Sequence, residues 1–335
     1  MTDSIVLKVG GKVFRNWLSY QVDADMYAAA GAFAFECARP DVDIAVGAAC
    51  TLEINGELAM TGYIDKQVRI VDKTQHRLEY HGRDMMGAIV DWQLAISPDL
   101  SQVTLETLTQ ALLALVPIPR LKQVRYSTVA SKAKAHEITA MQRTLGQSIC
   151  DALRGHAKQF GLLFMALPDG TLCYTTPRSA GSAKYKITMH NNGRGNNAKT
   201  GHLTKDLSRW YKSIQVVSDL PSGSVSKPTS VVMQDSCYPS IGIPKLRVVT
   251  DDTELAFLDY RVKFLISQQR HQGFVAEYTV PGHTNNGKLW AINEFCDVDD
   301  EMNGLHGPFL VIGRTFSLTR TEGRTTKVRL SLPGA

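Results

Sequence analysis

The stretch CTLEINGELAMTGYI, residues 50–64, constrains the fold more than any other. Leu52 and Ile54 alternate up to Asn55-Gly56, and Leu58 and Met60 resume the alternation beyond it. A period of two belongs to an extended strand with one face on a core, and Asn-Gly suits the two positive-φ positions of a tight hairpin. Two antiparallel strands are therefore expected here. Upstream, IVLKV, Gly10-Gly11 and KVFRNWLSYQV repeat the scheme of strand, two-glycine turn and strand. Downstream, Ile64, Lys66, Val68 and Ile70 share one face, DKTQ turns the chain, and RLEYHGRD returns. Residues 1–95 thus predict a curled antiparallel meander or small barrel, with few helices.

The pattern changes near residue 96. Thr104 is placed to cap a helix in which Leu105, Leu108, Leu112 and Leu115 recur on one face, with Pro117 and Pro119 ending it. A second helix from about Leu145 to Phe160 carries Ile149, Ala152, Leu153, His156 and Phe160 as its apolar stripe, and Gly161 supplies a left-handed stop. GLLFMALPDGTLCYTT then predicts a hairpin turning at Pro168-Asp169-Gly170. Residues 96–185 form an expected α+β insert. Residues 186–250 read as returning strands and a linker, with SDLPSGSVSKPTS the most linker-like stretch. In residues 251–335 a helix carrying Leu255, Leu258, Val262 and Leu265 ends near Gly273. Four strands follow, FVAEYTV, KLWAINEFCDV, GPFLVIGRTFSLTR and TTKVRLSL.

A chain of 335 residues accommodates two or three domains. No apolar run approaches the roughly 18 residues of a membrane span, and the first residues lack the pattern of a signal peptide. Six scattered cysteines with no C-x-x-C are expected as reduced thiols. The net charge of +5 hides an asymmetry. Residues 96–215 carry 16 basic against 6 acidic side chains, whereas residues 1–95 carry 9 against 13 and residues 216–335 carry 12 against 13. A basic middle third suits an acidic protein surface or nucleic acid. Tyr126, Tyr174, Tyr185, Trp210 and Tyr211 are too dispersed for a base-stacking platform, which favours the protein surface. Lys132, Lys134 and Arg143 are the charges to test.

Three stretches imitate functional motifs. Gly193 to Thr200, GRGNNAKT, misses the phosphate-binding pattern G-x-x-x-x-G-K-[ST] by one residue, because Ala198 stands where the second glycine belongs. Thr200 is followed at once by Gly201 and then by strand-like alternation, whereas a phosphate cradle opens onto a helix. The stretch is expected to be a flexible connection. His81-Gly82-Arg83-Asp84 imitates a kinase catalytic loop without its partner motifs, and Arg83 and Asp84 are expected to satisfy backbone groups at the end of a strand. Asp297, Asp299, Asp300 and Glu301 imitate part of a calcium loop, but the position needing glutamate is Leu310. With no H-E-x-x-H, no G-x-S-x-G and no His–Cys grouping, no catalytic, cofactor-binding or metal-binding residue is assigned. His76, His136 and His271 are expected at the surface.

The order of these features resembles the baseplate hub proteins of Mu-like contractile-tailed phages. IVLKVGGKVFRNWLSYQV, the hairpin into MTGYIDK, YHGRDMMGAIVDW, and the helix LGQSICDALRGHAKQFGLLF before its PDG turn carry the first half of the likeness. GHLTKDLSRWYKSIQVVSD and the closing stretch from GKLWAINEFCDVDD to RLSLP carry the second. The resemblance implies a β-rich α+β fold with two tail-tube-like antiparallel β-barrel domains and a smaller α/β domain, assembled as a trimeric ring with pseudo-sixfold character. Residues 1–95 would be the first barrel, possibly completed by later strands, and residues 251–335 the second. It implies a structural protein without catalysis or cofactor, adapting a sixfold tail tube to a threefold central spike. Its partners would be two further copies of itself, the tube and spike proteins and other baseplate subunits, with genome DNA passing through the channel. Its place would be the virion tail, after assembly in the host cytoplasm and with no membrane insertion. The competing expectations are a tail-associated cell-wall hydrolase and the spike-base subunit of a contractile injection system.

Overall fold

The computed structural model describes residues 4–38, 43–71, 73, 76–95, 103–138, 145–219, 229–240 and 243–335. The expected DKTQ turn apart from Lys73, Arg143, and most of SDLPSGSVSKPTS lie outside them. The first seven strands are β1 (Ile5–Val9), β2 (Lys12–Phe14), β3 (Ser19–Asp25), β4 (Ala32–Cys37), β5 (Ala49–Ile54), β6 (Glu57–Val71) and β7 (His76–Asp84). KVFRNWLSYQV is thus two strands, β2 and β3, and they do not pair with each other. At the turn between β5 and β6, Asn55 and Gly56 take φ of 54° and 82°, the two left-handed positions that the sequence requires. Alternation along β6 breaks where the register shifts between Ile64 and Lys66. The extra residue turns Lys66 outward although Ile64 is buried, so the expected common face does not exist.

The middle of the chain contains α1 (Met86–Asp91), β8 (Val103–Thr104), α2 (Leu105–Ala114), β9 (Val124–Tyr126), α3 (Ala130–Lys134), β10 (Glu137–Ile138), α4 (Ile149–Gln159), β11 (Leu163–Ala166) and β12 (Leu172–Thr175). Thr104 caps α2 by accepting from the Thr107 N–H. The apolar face of α2 is Leu105, Leu108, Leu112 and Leu113, while Leu115 lies beyond the last turn and is 42% exposed. Ser148 caps α4, which starts four residues later than expected and leaves Leu145 in solvent. The predicted stripe of α4 is buried throughout, against a sheet ordered β11-β12-β9.

The remaining elements are β13 (Ala183–Met189), β14 (Thr200–Lys205), β15 (Ser213–Ser218), β16 (Thr229–Gln234), β17 (Leu246–Asp251), α5 (Leu258–Gly273), β18 (Phe274–Pro281), β19 (Thr284–Asn285), β20 (Lys288–Leu289), β21 (Phe295–Asp300), β22 (Leu305–Thr319) and β23 (Gly323–Ser331). Leu255 sits in a short 3-10 turn before α5 and is exposed, whereas Leu258, Val262 and Leu265 are buried. KLWAINEFCDV is interrupted, forming β20 and β21.

One large open sheet runs β14-β18-β23-β22-β3-β4-β7-β6-β5-β1-β2, with β21 also on β22 and β13 parallel to β21. Its hinge is β22. Leu305–Leu310 pairs with β21, and Gly313–Leu318 pairs with β3, three hundred residues back in the chain. Around the bulge between Val311 and Gly313, the strand is buried on both faces. Phe309, Val311 and Phe316 join the main core, while Leu310 and Ile312 join a second cluster with Met26, Leu163 and Phe264. Two-sided burial is the reason GPFLVIG lacks polar alternation.

Candidate functional site

Gly193–Thr200 lies in the connection between β13 and β14, two strands of the large sheet, and Thr200 opens β14 rather than a helix. The connection is held at both ends. Asn197 Nδ2 donates to the Lys186 carbonyl at 2.8 Å and its Oδ1 accepts from the Thr188 N–H at 2.9 Å. Asn196 exchanges two bonds with the His190 backbone. Lys199 donates its N–H to Thr279 O and its ammonium to Glu322 O, at 2.7 and 3.0 Å. The expected slack connection is instead a hydrogen-bonded loop between strands that do not pair with each other, and its asparagines spend their amides on neighbouring backbone.

The calcium-like run forms the other side of the same joint. Asp299 accepts from His190 Nε2 at 2.9 Å and from His306 Nδ1 at 3.0 Å, and Glu301 accepts from the Asn191 N–H at 2.8 Å. The hydrogen bonds from His190 and His306 hold the Asp299 carboxyl below its usual range. Asp300 is buried, receiving the Tyr278 hydroxyl at 2.7 Å and the Asn303 and Met302 N–H groups at 3.0 Å. Two lookalike motifs therefore explain each other as one structural contact. Among the described residues no group of three or more His, Cys, Asp or Glu forms a metal-binding set.

In the kinase-like stretch, Asp84 accepts from the Gly31 and Met86 N–H groups at 2.8 and 2.9 Å, as expected of a strand-end carboxylate. Arg83 instead bonds carboxylates, Asp65 at 2.6 Å and Asp91 at 3.0 Å. Burial pushes the Asp84 carboxyl up to about 6, against those backbone hydrogen bonds. His76 is exposed and His136 is half-buried. His271 is buried, contrary to expectation. Its Nε2 meets the Leu332 carbonyl at 3.0 Å, which only accepts, so the proton sits on Nε2 and Nδ1 accepts the Tyr27 hydroxyl at 2.7 Å. Burial lowers its pKa to about 4. The hydrophobic stripe of α5 ends before residue 271, so periodicity gave no sign of this second buried face.

Of the basic residues, Lys134 pairs with Glu106 at 3.0 Å and Lys132 reaches the Tyr260 hydroxyl at 3.4 Å. Tyr174, Tyr185 and Trp210 are buried, which removes them from any stacking platform. No disulfide joins any of the six cysteines, and among the described residues no helix is long and apolar enough to cross a membrane.

The strongest surface feature was missed. The sheet β16-β15-β17 packs one face on α5, burying Ile214, Val216, Leu258, Val262 and Ile266. Its other face is open. Val232, Gln215 and Val248 form one cross-strand row, and Val232, Leu246 and Val248 are each more than half exposed. The signal was present in the doublets Val231-Val232 and Val248-Val249, which put one valine on each face. Beneath this sheet Asp235, fully buried, accepts from Trp210 Nε1 at 2.7 Å and Arg270 Nε at 2.8 Å. Arg270 also donates to the carbonyls of Pro333 and Gly334, tying this unit to the C-terminal residues.

Residues 4–84 match a family model described as Mu phage baseplate assembly protein GpP-like, N-terminal, and residues 268–334 match one described as tail protein, C-terminal domain. The baseplate hub protein gp44 of Escherichia phage Mu is 22% identical over 346 residues, spanning 99% of this chain and 88% of that protein. Over nearly its whole length this chain is similar to a Mu baseplate hub protein. A tail protein from Neisseria meningitidis MC58 has a similar fold throughout, with a TM-score of 0.82 and 27% identity over 99% of this chain and 97% of that one. The 43 kDa tail protein of prophage MuSo2 from Shewanella oneidensis gives 0.79 and 24% identity, covering 98% of each chain.

Proposed function

We propose that this chain is the structural hub of a contractile phage tail baseplate. It works as a homotrimer that joins a sixfold tail tube to a threefold central spike, without catalysis. One observation carries the proposal. The two segments matched by baseplate and tail family models, residues 4–84 and 268–334, supply all but β13 and β14 of one continuous sheet, and they are joined where β22 pairs with β3. Two β-units fixed to each other in every subunit give six units in a trimer. Such a ring offers near-sixfold symmetry to one neighbour and threefold symmetry to another. Each half would contribute a tube-like barrel closed with its neighbours, which covers the free edges at β2 and β14. The middle α+β unit and the β15–β17 unit face other baseplate subunits, the former through its basic surface. The channel would pass the genome.

The test is mass. Light scattering after size exclusion, alone and with tube and spike proteins present, is expected to reveal a species of about three times the 36.9 kDa chain. Images of the particle are expected to show three copies between tube and spike. A monomer under all these conditions overturns the proposal.

A further inference from the structure

A cavity of about 550 Å³ lies where β6, the β11–β12 hairpin, the residues following β20 and β22 converge. Arg314 and Trp290 both line it, and they are 6% and 1% exposed. Among the described residues, Arg314 Nε and Nη1 and Trp290 Nε1 have no hydrogen-bond partner. The remaining guanidinium nitrogen, Nη2, reaches only the Ala59 carbonyl, at 3.3 Å, and the group lies over the Phe316 ring at 4.0 Å.

Of the carboxylates near the cavity, Glu57 also lines it but is exposed and makes no bond to Arg314, and the others are committed elsewhere. Asp23 accepts from Thr315 Oγ1 at 2.6 Å and Gln21 Nε2 at 2.8 Å. Glu294 is paired with Arg178 and Lys184, and Asp84 holds the Gly31 and Met86 N–H groups. An uncompensated buried cation is strongly unfavourable, and its fork of N–H donors fits a carboxylate. The lining also carries an apolar group, Met60, Met165, Leu167 and Pro168, beside the cations Arg178, Lys184 and Lys288. A free inorganic anion fills little of this volume and leaves that apolar group wet. A carboxylate borne on an extended segment, with an apolar residue beside it, satisfies both.

We propose that this cavity receives an Asp or Glu side chain from an extended, partly apolar segment of a protein partner, with Arg314 and Trp290 donating to the carboxylate. The proposal is independent of the trimer. Arg314 supplies the charge recognition, Trp290 a second donor, and the methionines the grip on the flanking apolar residue.

Calorimetric titration of the full chain with the capped peptide Leu-Glu-Leu tests it, with Leu-Gln-Leu, acetate and inorganic phosphate as the other arms. The glutamate peptide is expected to bind roughly tenfold more tightly than each of the others, as a charge-assisted fork contact implies. It is also expected to shift the Trp290 indole proton resonance, assigned with Trp290→Phe. Arg314→Met, which replaces a buried cation by an apolar group of similar reach, is expected to keep the melting temperature and lose that preference. Trp290→Phe is expected to weaken glutamate-peptide binding by a few-fold, and it carries the test if Arg314→Met does not fold. Equal binding of the glutamine peptide, equal binding of acetate or phosphate, no binding of any probe, or full glutamate-peptide affinity in either folded variant overturns the proposal.

Discussion

Single residues in this chain set opposing responses to acid. His271 is neutral in the fold, with its pKa lowered to about 4 from 6.5 by burial. The unfolded chain takes up that proton first, so this contribution to stability is complete above pH 6.5 and is lost as pH falls toward 4. At about 1.4 kcal/mol per pH unit the loss approaches ~3 kcal/mol. Urea unfolding of His271→Gln is expected to flatten that slope. Asp84 has the opposite sign. Its folded pKa of about 6 exceeds the ordinary 3.8, so its burial costs nothing below pH 3.8 and costs most above 6. Asp84→Asn is expected to gain roughly 2 kcal/mol on the wild type at pH 7 relative to pH 4, checked by the same unfolding series. Gly82 sets a steric limit between β6 and β7. A Cβ there would lie 2.2 Å from the Tyr63 carbonyl oxygen and 2.3 Å from Phe33 Cζ. Gly82→Ala is expected to cost about 2 kcal/mol or more by forcing the strands apart, seen as a lower midpoint in thermal unfolding.

At the scale of elements, the β15–β17 sheet and α5 are joined by a polar core as well as an apolar one. Removing Asp235 leaves the buried Arg270 guanidinium without its counter-ion and frees the Trp210 N–H. Asp235→Ala is expected to cost about 3–5 kcal/mol, measured by chemical denaturation. The outer face behaves differently. Val232→Asp and Val248→Asp sit in solvent in the isolated chain, so each is expected to change its stability by under about 0.5 kcal/mol. If that face meets a neighbouring baseplate subunit, co-sedimentation with baseplate assemblies is expected to fall sharply; unchanged co-sedimentation removes the face from assembly. Legibility in the sequence followed burial. The Asn55-Gly56 turn, α4 and the Pro168–Gly170 hairpin were readable because one face met the core and the other met water. Along β22 both faces are covered, and along β6 a bulge shifts the phase, so periodicity names the strand and mistakes its faces. Arg314, on β22, and Trp290, just after β20, left no pattern at all, because they reach one cavity only once the sheet is assembled.

For the whole molecule, the resemblance carried information that periodicity lacked, since the order of weak motifs spans elements whose contacts are nonlocal. The long pairing of β3 with β22 shows why local patterns miss the architecture: Tyr20 faces Leu318 and Asp25 faces Gly313 across the chain's full length. That pairing also bears on timing. A ribosome releases β3 long before β22, so one edge of the N-terminal strands has no partner until residues 313–318 emerge. An open edge invites pairing with other nascent copies. Completion of the sheet is therefore governed by β22, and a chain stopped before Gly313 is expected to aggregate, seen as loss of the protein from the supernatant after centrifugation.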